Sequence, residues 1–152
     1  MDLRSRISAA LKTAMKEQEP TRLATLRLMT AAIRDREIAR RGEDGEAGLT
    51  DADVREILAR MVRQRDESAR AYEEGGRLEQ AEAERAEIEV IEEFLPRPLS
   101  EDEVEAAIAG AIDSTGARSI RDMGKVMAAL KAQHAGRMDF AEAGTRVKAR
   151  LV

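Results

Sequence analysis

Apolar residues recur along most of the chain at the three-and-four spacing of an amphipathic helix, with charged residues between them. Leu3, Ile7, Leu11, Ala14 and Met15 predict a first helix from about Asp2 to Glu17, stopping before Pro20. Leu23, Leu26, Met29 or Thr30, and Ile33 predict a second, continuing to Arg41 and ending at Gly42, a residue suited to the position just past a helix. Gly42 to Leu49 reads as a mobile loop by composition. Thr50, with Asp53 three residues on, opens a third helix whose apolar stripe runs through Val54, Ile57, Leu58, Met61, Val62, Ala69 and Tyr72. Gly75-Gly76 ends it. A fourth helix places Leu78, Ala81, Ile88, Ile91 and Leu95 inward. Ala9-Ala10 and Ala31-Ala32 would let helices approach closely.

The pattern breaks once, at Phe94-Leu95-Pro96-Arg97-Pro98-Leu99-Ser100. Each proline lacks an N–H and pushes its predecessor out of the α region, so no helix passes through. Ser100 and Glu103 form a capping-box pair, flanked by Leu99 and Val104 at the staple positions. Three shorter helices follow. Val104, Ala107, Ile108, Ala111 and Ile112 face inward in the first, which Gly116 ends. Ser119 with Asp122 starts the second, with Ile120, Met123, Met127 and Leu130 inward. Asp139 with Glu142 starts the third, with Phe140, Ala143, Val147 and Leu151 inward. The expected architecture is all-α: a four-helix N-terminal domain over residues 1–95, a proline-containing boundary at 96–99, and a three-helix tail domain over 100–152.

Composition narrows the class. The 152 residues are 43% hydrophobic but only 2% aromatic, so the core must be aliphatic. No cysteine is present, which removes disulfides, thiolate metal sites and cysteine nucleophiles. No apolar run approaches the ~20 residues of a membrane span, and none follows the N-terminus as in a secretory signal, so a cytoplasmic protein is expected.

The net charge of −4 hides strong segregation. Arg22 to Arg41 holds six arginines against two acids, and Arg27, Arg34 and Arg41 lie seven apart on one helix face. This row is either a phosphate-tracking stripe or a solvated face beside acidic helices of the same chain. Glu73 to Glu93 holds nine glutamates against two arginines. A metal site there is disfavoured, since the one histidine, His134, stands outside any Glu-x-x-His motif. That acidic helix reads better as a solvated or arginine-paired face; a protein partner could dock on it or on an apolar groove of the tail. Residues 118–152 carry eight basic residues against three acids.

Met123-Gly124-Lys125-Val126-Met127 singles itself out within that basic segment. A glycine in a helix costs about 1 kcal/mol against alanine. Gly124 therefore signals either close approach of a ligand phosphate, with Lys125 and Arg137 as partners, or a tight helix crossing. His134, before Ala135-Gly136, reads as a helix C-cap rather than a catalytic base. No Gly-rich phosphate loop, metal-ligand set or nucleophile–base pair is visible, so no catalytic residue and no cofactor is expected.

Taken together, Leu26-Arg27-Leu28, Glu92-Glu93-Phe94-Leu95-Pro96 with Leu99-Ser100, Thr115-Gly116-Ala117, and Met123-Gly124-Lys125-Val126-Met127 resemble the GatB/YqeY family. The resemblance covers essentially the whole chain. It takes in the free-standing YqeY proteins and the tail domain of the B subunit of glutamyl/aspartyl-tRNA amidotransferase. It implies a helical domain followed by a three-helix tail. In the amidotransferase the tail contacts the tRNA body while other domains do the chemistry. Carried across by position, Lys125, Arg137 and Arg121 become expected RNA contacts, and the residue pattern adds Gly124 and the Arg27, Arg34 and Arg41 row. A carbon–nitrogen ligase label with glutamine as amido-N-donor travels with the family name, but the catalytic domains that activate substrate and make ammonia are missing from this sequence. The expected function is a tRNA- or structured-RNA-binding accessory protein. The alternatives are a protein-interaction adaptor, or an accessory to tRNA amidation.

Overall fold

The computed structural model describes residues 2–44 and 48–152. Among them are seven α-helices, one 3-10 turn and no strand. The chain divides into two compact units, Met1–Pro96 and Arg97–Val152.

In the first unit, α1 spans Leu3–Glu17 and α2 spans Pro20–Asp44. Asp2 caps α1, its carboxylate accepting from the Ser5 N–H at 2.8 Å. Gln18 takes a left-handed conformation (φ 57°) and donates to Ala14 O, so the turn between the helices is very short. Pro20, expected only to stop α1, is the first residue of α2. Its fixed φ suits a first turn and its missing N–H is no loss there.

α2 also runs past Gly42, where a stop is expected. Gly42 is not among the glycines with positive φ, so it does not turn the chain out of the helix. Close by, Arg40 reaches Asp53 at 3.2 Å and holds the end of α2 against the start of the next helix. A local glycine cost of about 1 kcal/mol is small beside such a tertiary contact and a continued hydrogen-bond ladder. The expected loop is thereby shortened. Gly48 to Thr50 are non-helical, and the middle of the expected mobile stretch lies outside the described residues.

α3 spans Asp51–Glu74 and begins with the full Thr50/Asp53 capping box. Burial disfavours the charged Asp53 carboxyl, yet the Thr50 N–H and hydroxyl and the Arg40 guanidinium outweigh it, so its pKa falls. Gly75 and Gly76 (φ +75°) reverse the chain, the Arg77 N–H donating to Tyr72 O at 2.8 Å. α4 then spans Leu78–Glu92 and returns along α3.

The core gathers Ile7, Leu26, Met29, Ile33, Leu58 and Ile91, all buried, with Phe94 beneath the Arg6 guanidinium (5.8 Å to the ring centroid). It takes no residue between Val62 and Val90, so the outer part of the α3–α4 hairpin extends beyond it. Ala69 and Ala81 are buried there. Leu78, expected inward, is 63% exposed, because at the hairpin tip there is no core to receive it. Ala9 and Ala31 are also exposed, so of the two alanine pairs only Ala10 and Ala32 pack against the core.

The second unit holds α5 (Glu101–Thr115), the 3-10 turn Ile120–Asp122, α6 (Met123–His134) and α7 (Phe140–Leu151). Ser100 and Glu103 form the expected capping box, and Leu99 and Val104 are half-buried against the core of Ile108, Val126, Leu130 and Val147. Gly116 (φ +69°) ends α5, with the Ala117 N–H donating to Ile112 O at 3.1 Å. Ser119 does not cap the second tail helix directly, as expected. It precedes the 3-10 turn without a side-chain hydrogen bond, and Ile120 is 45% exposed rather than inward. The Asp122 carboxylate turns back instead and accepts from the Arg118 N–H at 3.0 Å.

Candidate nucleic-acid interface

The cations of the second unit fall into two sets. On α7, Arg146 meets three carboxylates: Glu142 at 2.6 Å, Glu101 at 2.7 Å and Glu105 at 2.9 Å. Arg150 meets Glu105 at 2.6 Å. The acidic first turns of α5 are therefore matched by α7. Hydrogen bonding from Arg150 and Arg146 holds the Glu105 carboxyl below its ordinary range, and Glu101 and Glu142 raise the Arg146 guanidinium.

The other set has no such partners. Arg118, Arg121, Lys125, Lys131 and Lys148 are exposed, and none makes an ion pair among the described residues. Arg121, Gly124, Lys125, Ala128 and Lys131 recur at three-and-four spacing along the 3-10 turn and α6, so they share one outward face. Gly124 is exposed, and nothing lies within 4 Å of a Cβ built on it. The tight crossing that a helical glycine also suggests is not here. The buried helical glycine of this unit is Gly144 on α7, where a Cβ would meet Met123 Cε at 3.5 Å and Met127 Cε at 3.8 Å, ordinary contact distances.

Asp122 borders this face. The Arg118 N–H chiefly, then the Ser119 N–H and the charge of Lys125, hold its carboxyl below the usual range. From Lys125 to His134 is about 14 Å along α6 at 1.5 Å per residue, and Arg137 follows the end of α6. Its Nε donates to Arg97 O at 3.0 Å and its carbonyl accepts from the Leu99 N–H at 2.9 Å. Arg137 thus ties the proline-containing stretch to the α6–α7 turn, a role that spacing alone could not show. His134 ends α6, its carbonyl accepting from the Arg137 N–H at 3.0 Å. Its Nδ1 is buried and meets no hydrogen-bond partner among the described residues.

In the first unit, Arg27, Arg34 and Arg41 are exposed and form no ion pair among the described residues. Their neighbours behave differently: Arg22 pairs with Glu93, Arg40 with Asp53, and Arg4 of α1 with Glu37 at 2.8 Å. Several glutamates of the acidic stretch are arginine-paired, Glu87 with Arg65 at 2.9 Å and Glu73 with Arg85 at 2.7 Å. Among the described residues no three His, Asp or Glu side chains are grouped to hold a metal ion. No helix there is long and apolar enough to cross a membrane.

These features define an all-helical protein of two small units, each with its own aliphatic core and a cationic helix face. The family model for Yqey-like proteins matches residues 4–151. The chain belongs to that family. No curated protein matches it.

The charge partition escaped sequence reading, which counted all eight basic residues of the tail as one unit. The spacing that links Arg121 to Lys125, and Lys125 through Ala128 to Lys131, was legible. The capture of Arg146 and Arg150 by α5, more than forty positions away, was not.

Proposed function

We propose that this protein is a cytoplasmic accessory protein that binds tRNA or another structured RNA through the outward face of α6. One observation carries the reading: Arg121, Lys125 and Lys131 stand exposed, without ion-pair partners among the described residues, around Gly124 and Ala128, while the α7 arginines Arg146 and Arg150 are neutralised internally. Small residues at the centre leave backbone accessible to a phosphodiester chain, and cations at the edges supply the counterion-release term. With Tyr72, Phe94 and Phe140 the only aromatics, base stacking contributes little, so recognition is of phosphate and shape. On this reading the chain carries out no chemistry of its own.

Fluorescence anisotropy of bulk tRNA against the full chain, at several salt concentrations, tests it. The Arg121→Ala/Lys125→Ala/Lys131→Ala variant should bind at least tenfold more weakly at low salt. Its log K against log[salt] slope should flatten by about 0.7–0.9 for each phosphate the variant no longer neutralises. Arg137 is left intact, because its guanidinium holds the Arg97 carbonyl. Equal binding by wild type and variant, or no binding by wild type at low salt, would remove the α6 face from the reading.

A further inference from the structure

The outer face of α2 differs in kind from that of α6. Ala24, Ala31 and Ile38 lie seven apart, and Arg27, Arg34 and Arg41 stand three residues after each of them. All six are exposed, Ile38 by 61%. The alternating steps of three and four are the heptad seam with which one helix meets another. It is a second stripe on α2, because the first, through Leu26, Met29 and Ile33, is already spent on the unit's own core. At 1.5 Å per residue the arginines are about 10.5 Å apart and the row is about 21 Å long.

The seam adjoins a recess of about 250 Å³ lined by Arg4, Arg34, Glu37, Ile38 and Arg41. The ion pair from Arg4 to Glu37 brings the start of α1 beside the end of α2, and the very short turn at Gln18 makes the two helices antiparallel. Met15, eleven residues on from Arg4 and so on the same side of α1, is 53% exposed. The face therefore has a recess at the Ile38 end, an exposed apolar side chain toward each end, Ile38 and Met15, and a line of exposed guanidinium groups along it.

We propose that this face docks an acidic amphipathic α-helix of a protein partner. Alanines at alternate seam positions admit a second helix backbone closely. Ile38 and Met15 offer apolar anchors that a phosphodiester chain would not use. Arg27, Arg34 and Arg41 have no ion-pair partner among the described residues, whereas Arg22 and Arg40 on the same helix are paired. That difference sets the charge of the docked helix as acidic, recurring near every seventh residue. A second copy laid α2 against α2 would set arginine beside arginine, so charge complementarity disfavours self-pairing through this seam.

The probe is a labelled synthetic helix of about three heptads, with leucine at every seventh position and glutamate three and four positions on. A control peptide has the same composition in scrambled order. Anisotropy with the full chain should give saturable binding of the periodic peptide and at least tenfold weaker binding of the scrambled one. Arg34→Glu should weaken the periodic peptide at least tenfold, and Ile38→Ser severalfold with no change of charge. The inference is overturned if the two peptides bind alike, or if neither binds. It is overturned in favour of RNA if Arg27→Ala/Arg34→Ala/Arg41→Ala weakens tRNA as much as the α6 variant and leaves the peptide untouched. A concentration-dependent dimer abolished by Arg34→Glu would overturn it in favour of self-association. None of these variants touches α6, so the RNA proposal stands or falls separately.

Discussion

Two glycines in the tail show how one residue type answers to opposite demands. Gly144 is buried against the Met123 and Met127 side-chain tips, and Gly124 faces open space. At Gly144 an added methyl would sit at ordinary contact distance from two flexible methionine ends. Gly144→Ala should therefore be neutral or stabilising by up to about 1 kcal/mol, the helix-propensity difference. Gly144→Leu should overpack and cost about 1–3 kcal/mol. At Gly124, alanine meets nothing, so Gly124→Ala should stabilise by about 0.5–1 kcal/mol. If that glycine admits a phosphate chain, the same substitution should weaken tRNA binding while raising the melting temperature. Thermal denaturation beside anisotropy separates the two effects, because a purely structural glycine would leave binding unchanged.

Among the elements, the α5–α7 pair is governed by charge at its edge. Glu105 serves both Arg146 and Arg150, and its folded pKa lies below the ordinary 4.5. A carboxylate depressed on folding adds stability above its unfolded pKa, and that contribution disappears as pH falls through the lower folded value. The capping carboxylate Glu103, held down by the Ser100 N–H and hydroxyl and then by Arg97, acts with the same sign. The tail should therefore be equally stable from pH 7 to about 5 and should lose stability below about pH 4.5. Glu105→Gln should lower the melting temperature at pH 7 and converge on wild type in acid, as followed by circular dichroism. These groups sit at the surface, so the effect should shrink with added salt. Capping boxes at Ser100 and Thr50 are local, and both were legible from four residues. The persistence of α2 past Gly42 was not, because a contact with Asp53 on the next helix outweighs a local preference.

For the whole molecule, each unit closes an aliphatic core of its own, and the Arg97–Val152 unit is small for a single core. Leu130 is fully buried there. Leu130→Ala should cost about 2–5 kcal/mol, a large share of what a unit of this size can hold. Amide exchange in residues 97–152 should accelerate to match, and wild-type exchange rates in the variant would show that the core relaxes around the gap. Charge is also set at this scale. A net −4 coexists with exposed cationic faces because acids and bases are distributed unequally and neutralised selectively.

By itself the sequence determined what depends on near neighbours along the chain. Helical periodicity settled the all-α class, the prolines at 96 and 98 and the Ser100 cap settled where the pattern breaks, and residue order settled the family. These are local because a helix bonds each residue to its fourth neighbour. Only the tertiary structure decided which cations are free. Arg146 and Lys125 belong to one basic segment, yet α5 supplies Glu101 and Glu105 to the first and no carboxylate to the second. It likewise buried Gly144 and left Gly124 open, gave Arg137 to the Arg97 carbonyl, and left a second seam on α2 uncovered. Each of these turns on which side chains meet across elements, and spacing along one helix carries no information about that.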